Sequence, residues 1–178
     1  LVTDEMMLVI KENSSTTLIP DYCIYGQLQK SILVLNMQNN IGKNQTKLFS
    51  LIKNVTFIII DISIFNISIQ FKNCTFIDSS VCAEGGGMNN IYFKHSRFLS
   101  NSKLRRLSLK FRNLAKVFFE EVSYIDIKVD TGFPIINFVN VQFIVLKEFT
   151  AHDITGVLVS AKVCSVLIAT KLDKQYIF

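Results

Sequence analysis

Apolar and polar side chains alternate with a period of two along much of the chain. The alternation is clear in the second half, where Leu107, Leu109 and Phe111 are separated by Ser108, Lys110 and Arg112. Side chains on a β-strand point in turn to opposite faces, so this pattern predicts strands with one buried face and one solvated face. Apolar residues at helical spacing with a cap are not found. The pattern therefore predicts an all-β protein.

A short phrase recurs along the chain. Residues 53–57 read KNVTF and residues 72–76 read KNCTF, 19 positions apart. Looser copies follow, and the apolar residues that close the copies lie at positions 57, 76, 98, 118, 143 and 166. The differences between successive positions are 19, 22, 20, 25 and 23. Helical repeats are longer, at about 33–47 residues. The shorter interval indicates a coil of short strands joined by turns of variable length.

The repeat predicts a parallel β-solenoid with about 22 residues per turn. A single turn cannot bury its apolar face, whereas stacked turns close a continuous core. Phe57 and Phe76 are expected to stack in an inward column. Five residues are expected to form one ladder of side-chain hydrogen bonds at equivalent turns: Asn54, Asn73, His95, Asn113 and Asn140. A leucine-rich-repeat solenoid is the alternative, because residues 104–109 read LRRLSL.

Length and composition favour one domain. The chain has 178 residues, of which 49% are hydrophobic, and we expect a single β-solenoid over 1–178 with irregular or capping turns within 1–30. It begins without an initiator Met or a signal-peptide pattern, which favours a fragment of a longer protein. The longest apolar stretches, 57–69 and 157–169, are interrupted by charged residues and are too short for a spanning helix, so no transmembrane segment is expected.

One region resembles a known group of proteins. Residues 71–80 read FKNCTFIDSS, and EGGGM at 84–88 and FKHSRFLSN at 93–101 follow. These phrases are similar to the repeats of right-handed parallel β-helix surface proteins, such as polymorphic outer-membrane-protein repeats and the large secreted β-helix proteins of protists such as ciliates. The resemblance implies a parallel β-helix on a surface or in secreted material. The same fold also hosts pectate-lyase-like enzymes, so the resemblance supports architecture more than activity.

Sequons point to an extracellular or cell-surface location. Five Asn-x-Ser/Thr sequons occur among 14 asparagines, where about two are expected by chance: Asn13, Asn44, Asn54, Asn66 and Asn73. We interpret them as N-glycosylation sites. The alternative is an intracellular solenoid, whose outward Ser and Thr residues create sequons that are never used.

The sequence allows two interpretations of the cysteines. Cys74 and Cys82 lie eight residues apart around an expected turn and are candidates for a disulfide in an oxidising compartment. The alternative is free thiols that pack as small apolar groups. No CxxC motif or His–Cys spacing suggests zinc, so neither a metal site nor a cofactor is expected.

Catalytic motifs are not apparent. The acidic residues are scattered, and no pair of carboxylates recurs at the spacing of the repeat. The triple glycine at 85–87 lacks the lysine and the helix that accompany a phosphate-binding loop. We therefore expect no catalytic residues and no enzyme activity. A carbohydrate-binding or carbohydrate-active, pectate-lyase-like β-helix is the alternative.

Basic residues concentrate in residues 97–116, which hold seven Lys or Arg and no acid. The candidates for contact with an anionic partner are Arg105, Arg106, Lys110 and Arg112; the alternative is a solvated face. Nucleic acid is not expected as a partner. Proteins that bind single strands expose aromatic rings on which bases stack, whereas the alternation assigns the aromatic side chains of this chain to the buried face of the strands.

Together these features predict a non-catalytic structural or interaction module of a surface coat, adhesin or fibre. The expected partners are other subunits or copies of the same chain, N-linked glycans and anionic glycans.

Overall fold

A computed structural model of the protein describes side chains for residues 51–100, 108–125, 134–152 and 158–171. It describes the backbone alone for further strand residues at 7–11, 17–18, 22–25, 32–36, 49–50, 153–154 and 173–177. The sequons Asn13 and Asn44 and the basic residues Arg105 and Arg106 lie outside the described residues.

The described part of the chain is all-β and contains no helix, as predicted. In chain order the strands are β1 (Met7–Lys11), β2 (Thr17–Leu18), β3 (Tyr22–Tyr25), β4 (Ile32–Asn36), β5 (Phe49–Lys53), β6 (Val55–Ile58), β7 (Asp61–Phe65), β8 (Ser68–Lys72), β9 (Thr75–Ile77), β10 (Ser80–Glu84), β11 (Asn90–Lys94), β12 (Arg97–Leu99), β13 (Leu109–Ile125), β14 (Ile136–Ile154), β15 (Val159–Lys162), β16 (Val166–Thr170) and β17 (Asp173–Ile177).

Parallel pairing arranges the strands in three stacks, which we name sides A, B and C. Side A contains β1, β4, β7, β10, β13, β14 and β15. Side B contains β2, β5, β8, β11, β13, β14 and β16, and side C contains β3, β6, β9, β12, β13, β14 and β17. The long strands β13 and β14 bend through all three sides. The protein is a parallel β-solenoid, and three strands per turn distinguish it from a leucine-rich repeat, which has one.

The interval between stacked residues varies with the length of the corners. Phe57 stacks on Phe76, and Phe76 stacks on Phe98 after a longer interval in the chain. Two residues separate β7 from β8, whereas five separate β10 from β11. The three additional residues, in the glycine-rich segment 85–89, account for the longer interval. The strands on sides A and B keep a length of five residues in these two turns, so the insertion falls in a corner.

Aromatic rings stack inside the coil in columns that follow its axis. On side C, Phe57, Phe76, Phe98 and Tyr124 stack with ring centroids 5.0, 4.5 and 4.6 Å apart. On side B, Phe71, Phe93 and Phe119 stack at 5.1 and 5.0 Å, and on side A Phe111 stacks on Phe138 at 5.4 Å. Each such pair contributes about 0.5–1.5 kcal/mol beyond its buried area. The predicted inward column of Phe57 and Phe76 is confirmed.

The later copies of the repeat were aligned wrongly from the sequence. Phe118 follows the repeat interval but pairs with Tyr92 and Val145 on the outer face of side B. The column that contains Phe98 continues instead in Tyr124. The connection between β12 and β13 is longer than that between β9 and β10, so the repeat interval ends six residues before Tyr124, on side B. There Phe118 is next to inward Phe119, and a shift of one residue along a strand places a side chain on the opposite face. For the same reason Phe143 and Val166 lie on the outer face.

Candidate functional site

The corners of the solenoid hold residues in the left-handed backbone conformation. The corner between sides B and C contains Asn54, Asn73, His95, Glu121, Glu148 and Lys171, with φ between 50° and 58°. The corner between sides A and B contains Asn66, Asn113, Asn140 and Val163, with φ between 51° and 55°. Asparagine accepts this conformation at lower cost than most residues with a Cβ, which explains its recurrence at the corners.

Side chains at these corners form hydrogen bonds from one turn to the next. Asn73 Nδ2 donates to Asn54 Oδ1 at 3.2 Å, and Asn140 Nδ2 donates to Asn113 Oδ1 at 2.9 Å. His95 Nδ1 lies 2.7 Å from Glu121 Oε2 at the B–C corner. Hydrogen bonding from turn to turn was predicted correctly. The prediction of a single ladder was wrong, because Asn113 and Asn140 lie at the A–B corner and the other three residues lie at the B–C corner.

The three sequons within the described residues lie at corners. Asn66 and Asn73 are exposed and Asn54 is half-buried. The hydroxyl-bearing residues of these sequons differ in exposure. Thr56 and Thr75 are half-buried, whereas Ser68 is 6% exposed. The Oγ of Ser68 accepts a hydrogen bond from Asn90 N at 3.0 Å. Asn66 and Asn73 therefore lie at the surface, whereas Asn54 is partly covered.

The disulfide considered between Cys74 and Cys82 is not formed; both are free thiols. Cys74 points inward and is 1% exposed, and its Sγ donates to the backbone oxygens of Ile52 at 3.6 Å and Lys72 at 3.5 Å. Burial raises the pKa of the Cys74 thiol to about 11. Cys82 lies on the outer face of side A, because β10 alternates inward Val81 and Ala83 with outward residues. The two thiols thus face opposite sides of the wall.

The predicted basic candidates are only partly described. Lys110 and Arg112 both point outward from side A and are exposed, as the alternation predicted. They stack on Cys82 and Glu84 of the preceding turn. Burial raises the pKa of Cys82, and the nearby cationic charges of Lys110 and Arg112 act against that shift.

A second basic surface, which the sequence analysis missed, lies on the outer face of side B. We call it the lysine–aromatic face; it comprises Lys53, Lys72, Tyr92, Lys94, Lys116, Phe118, Glu120, Phe143, Val145 and Lys147. Lys53, Lys72, Lys94, Glu120 and Lys147 occupy one position in consecutive turns. Tyr92, Phe118 and Val145 occupy the next outward position.

Glu120 binds two of these lysines. Its carboxylate oxygens lie 2.8 Å from Lys94 Nζ and 2.7 Å from Lys147 Nζ. Hydrogen bonds from Lys147 and Lys94 lower the pKa of Glu120 to about 2. Lys53 and Lys72 have no acidic partner among the residues that the structure describes. The face therefore keeps an excess of positive charge.

Aromatic side chains lie beside these lysines. The rings of Tyr92 and Phe118 are 5.8 Å apart at an angle of 53°, and Lys116 Nζ lies 5.2 Å from the centroid of the Phe118 ring. Phe143, which stacks on Lys116, is 46% exposed. The prediction that the aromatic side chains point inward was thus wrong for Tyr92, Phe118 and Phe143. The signal was present, since Tyr92 lies between inward Ile91 and Phe93.

Within the described residues, no group of three or more His, Cys, Asp or Glu side chains is placed to hold a metal ion. A search of the same residues for a helix long and apolar enough to cross a membrane finds none.

No protein-family model matches the chain, and no curated protein or solved structure is significantly similar to it. The assignment to the parallel β-solenoids rests on the strand pairing.

Proposed function

We propose that the protein is an extracellular, glycosylated and non-catalytic building block of a surface coat, an adhesin or a fibre. The observation that carries the proposal is the position of the sequons. Asn54, Asn66 and Asn73 lie at corners of the solenoid, where the backbone turns and the side chain reaches solvent. The number of sequons, five in 178 residues, is more than twice the chance expectation of about two.

The architecture supports a structural role. Each turn contacts the turns before and after it, so the coil is a rod whose core continues along its axis. The stacked columns of Phe57, Phe76 and Phe98 and of Phe71 and Phe93 fill that core. Such a rod presents three long outer faces to other subunits or to copies of itself. The resemblance of residues 71–101 to polymorphic outer-membrane-protein and protist surface repeats favours the same kind of protein.

Carbohydrate binding is the second candidate function. The lysine–aromatic face favours it, because aromatic rings and cationic groups lie side by side on an open surface. This property is compatible with a structural role in a coat or matrix that contains glycans.

The first experiment measures the intact mass of the natively sourced protein before and after enzymatic N-deglycosylation. We expect a loss of glycan mass and conversion of Asn to Asp at one or more of Asn44, Asn54, Asn66 and Asn73. Unchanged mass, with every sequon unmodified, would contradict the extracellular proposal and favour the intracellular solenoid.

A further inference from the structure

The lysines of side B repeat along the axis of the solenoid. Lys53, Lys72 and Lys94 occupy the same outward position in three consecutive turns. Parallel strands lie about 4.8 Å apart, so the Cα atoms of the three lysines follow the axis at about that interval. Like charges at neighbouring positions of a sheet are destabilising. Lys94 is paired with Glu120, whereas Lys53 and Lys72 remain as neighbouring like charges, and a bound anion would relieve their repulsion.

The aromatic residues add an apolar surface to the row of charges. Tyr92 and Phe118 are in contact across two turns, and Phe143, which stacks on Lys116, has 46% of its surface exposed. A partner for this face must therefore offer negative charges at regular intervals and flat C–H surfaces between them. Acidic sugar units joined in a linear chain have both properties.

A second copy of this chain does not fit the same face. The face has five lysines, Lys53, Lys72, Lys94, Lys116 and Lys147, and one acid, Glu120, which leaves an excess of four positive charges. Two such faces brought together would repel each other. An anionic partner is the complementary one.

We propose that the lysine–aromatic face binds a linear anionic polysaccharide that runs along the solenoid axis. Its carboxylate or sulfate groups contact Lys53, Lys72 and Lys94, and its sugar rings pack against Tyr92, Phe118 and Phe143. The proposal rests on the extracellular location proposed above for the choice of polysaccharide over single-stranded nucleic acid, which also binds lysines and aromatic rings.

The test is isothermal titration of the secreted full chain with a heparin-derived octasaccharide. Replacement of Lys53 and Lys72 together by Gln is expected to weaken binding by about tenfold or more, because it removes two cationic contacts with the anionic chain. The matched comparison replaces Lys110 and Arg112 by Gln, which removes the same charge from side A, where the sequence alone predicted contact with an anionic partner, and so tests side A against side B. We expect this variant to change affinity by less than about twofold. Thermal unfolding followed by circular dichroism checks that both variants fold.

Two further variants separate the parts of the site. Phe143→Ser is expected to weaken binding without a change in net charge, and Glu120→Gln is expected to strengthen it by removing the one negative charge of the face. An uncharged chitin hexasaccharide is expected not to bind.

Three results would overturn the proposal. They are equal effects of the side A and side B variants, tighter binding of a dT12 oligonucleotide than of the octasaccharide, and self-association through the face in light scattering. The mass measurement on the sequons is independent. If the sequons are unoccupied but the octasaccharide binds at side B, the proposed function alone is overturned. If the sequons are occupied but the octasaccharide does not bind, this inference alone is overturned.

Discussion

Asn73 donates a hydrogen bond from Nδ2 to Oδ1 of Asn54 at 3.2 Å, and both residues are sequon asparagines in consecutive turns of the solenoid. A glycan is attached through the same side-chain amide that forms this contact. Two glycans at this spacing would crowd each other, because the turns are only about 4.8 Å apart.

We therefore expect folded, secreted molecules to carry a glycan on Asn54 or on Asn73, and not on both. Glycopeptide mass spectrometry of the intact 53–76 region measures the occupancy of the pair. Asn73→Gln is expected to raise occupancy at Asn54 and to leave Asn66, at a different corner, unchanged. A large population with both glycans would contradict the prediction.

Tyr124 is fully buried at the end of the Phe57–Phe76–Phe98 column, and its hydroxyl has no hydrogen-bond partner in the described part of the chain. Burial raises its pKa well above the ordinary value. Tyr124→Phe is expected to increase the free energy of unfolding by about 1–3 kcal/mol, because it removes an unsatisfied buried group and keeps the ring. Urea denaturation measures the change.

The matched control is Phe98→Tyr, which adds a hydroxyl to the neighbouring ring of the same column and is expected to destabilise the protein. Loss of stability on Tyr124→Phe would show instead that the hydroxyl is hydrogen-bonded in solution.

Glu120 is expected to make the stability of the protein depend on pH. Its pKa in the folded protein is about 2, below the unfolded value of 4.5, because Lys147 and Lys94 donate hydrogen bonds to it. Its contribution is complete above pH 4.5 and is lost as the pH falls from 4.5 towards 2. Glu120→Gln is expected to cost on the order of 1 kcal/mol at pH 7, and this cost is expected to shrink as the pH falls through 4.5 towards 2 and to vanish only below the folded pKa.

Urea denaturation of both proteins at several pH values provides the measurement. A double-mutant cycle with Lys147→Gln isolates the ion pair, and a coupling energy of zero at pH 7 would refute the assignment.

Gly85 and Gly86 are neighbours with different surroundings. A Cβ on Gly85 would lie 2.7 Å from Asn89 Oδ1 and 2.9 Å from Leu114 Cδ2, whereas a Cβ on Gly86 would meet no atom of the described residues within 4 Å. Gly85→Ala is expected to destabilise the protein by about 1–3 kcal/mol, and Gly86→Ala serves as the control with little effect. Thermal unfolding distinguishes them, and equal melting temperatures would contradict the prediction.

Cys74 and Cys82 are expected to differ in reactivity. Iodoacetamide should modify half-buried Cys82 in the native protein, whereas Cys74 should react only after unfolding, because it is buried and its pKa is raised to about 11. Peptide mass spectrometry after labelling without reductant measures both. Modification of neither thiol in the unfolded, unreduced protein would indicate the disulfide after all.

Much of the architecture was predictable from local sequence. The repeated KN-x-TF phrase placed Phe57 and Phe76 in one inward column, and alternation placed Lys110 and Arg112 outside; both were confirmed. The later alignment failed at Phe118, which lies on the outer face of side B, because the column of Phe98 continues in Tyr124, 26 residues along the chain instead of 20. The corners differ in length by several residues. Because side chains alternate between the two faces of a strand, an error of one residue in the alignment places every following side chain on the wrong face.

The sequence by itself determined the all-β class, the approximate interval between turns and the presence of asparagine at corners, because alternation and left-handed backbone preference act over a few neighbouring residues. Only the tertiary structure decided which residues share a column, a corner or a face. Lys53, Lys72 and Lys94 are each a full turn of the coil apart in the chain and become neighbours only when the turns stack in parallel register. That register depends on the combined length of all the corners between these lysines. No local pattern in the sequence contains this information.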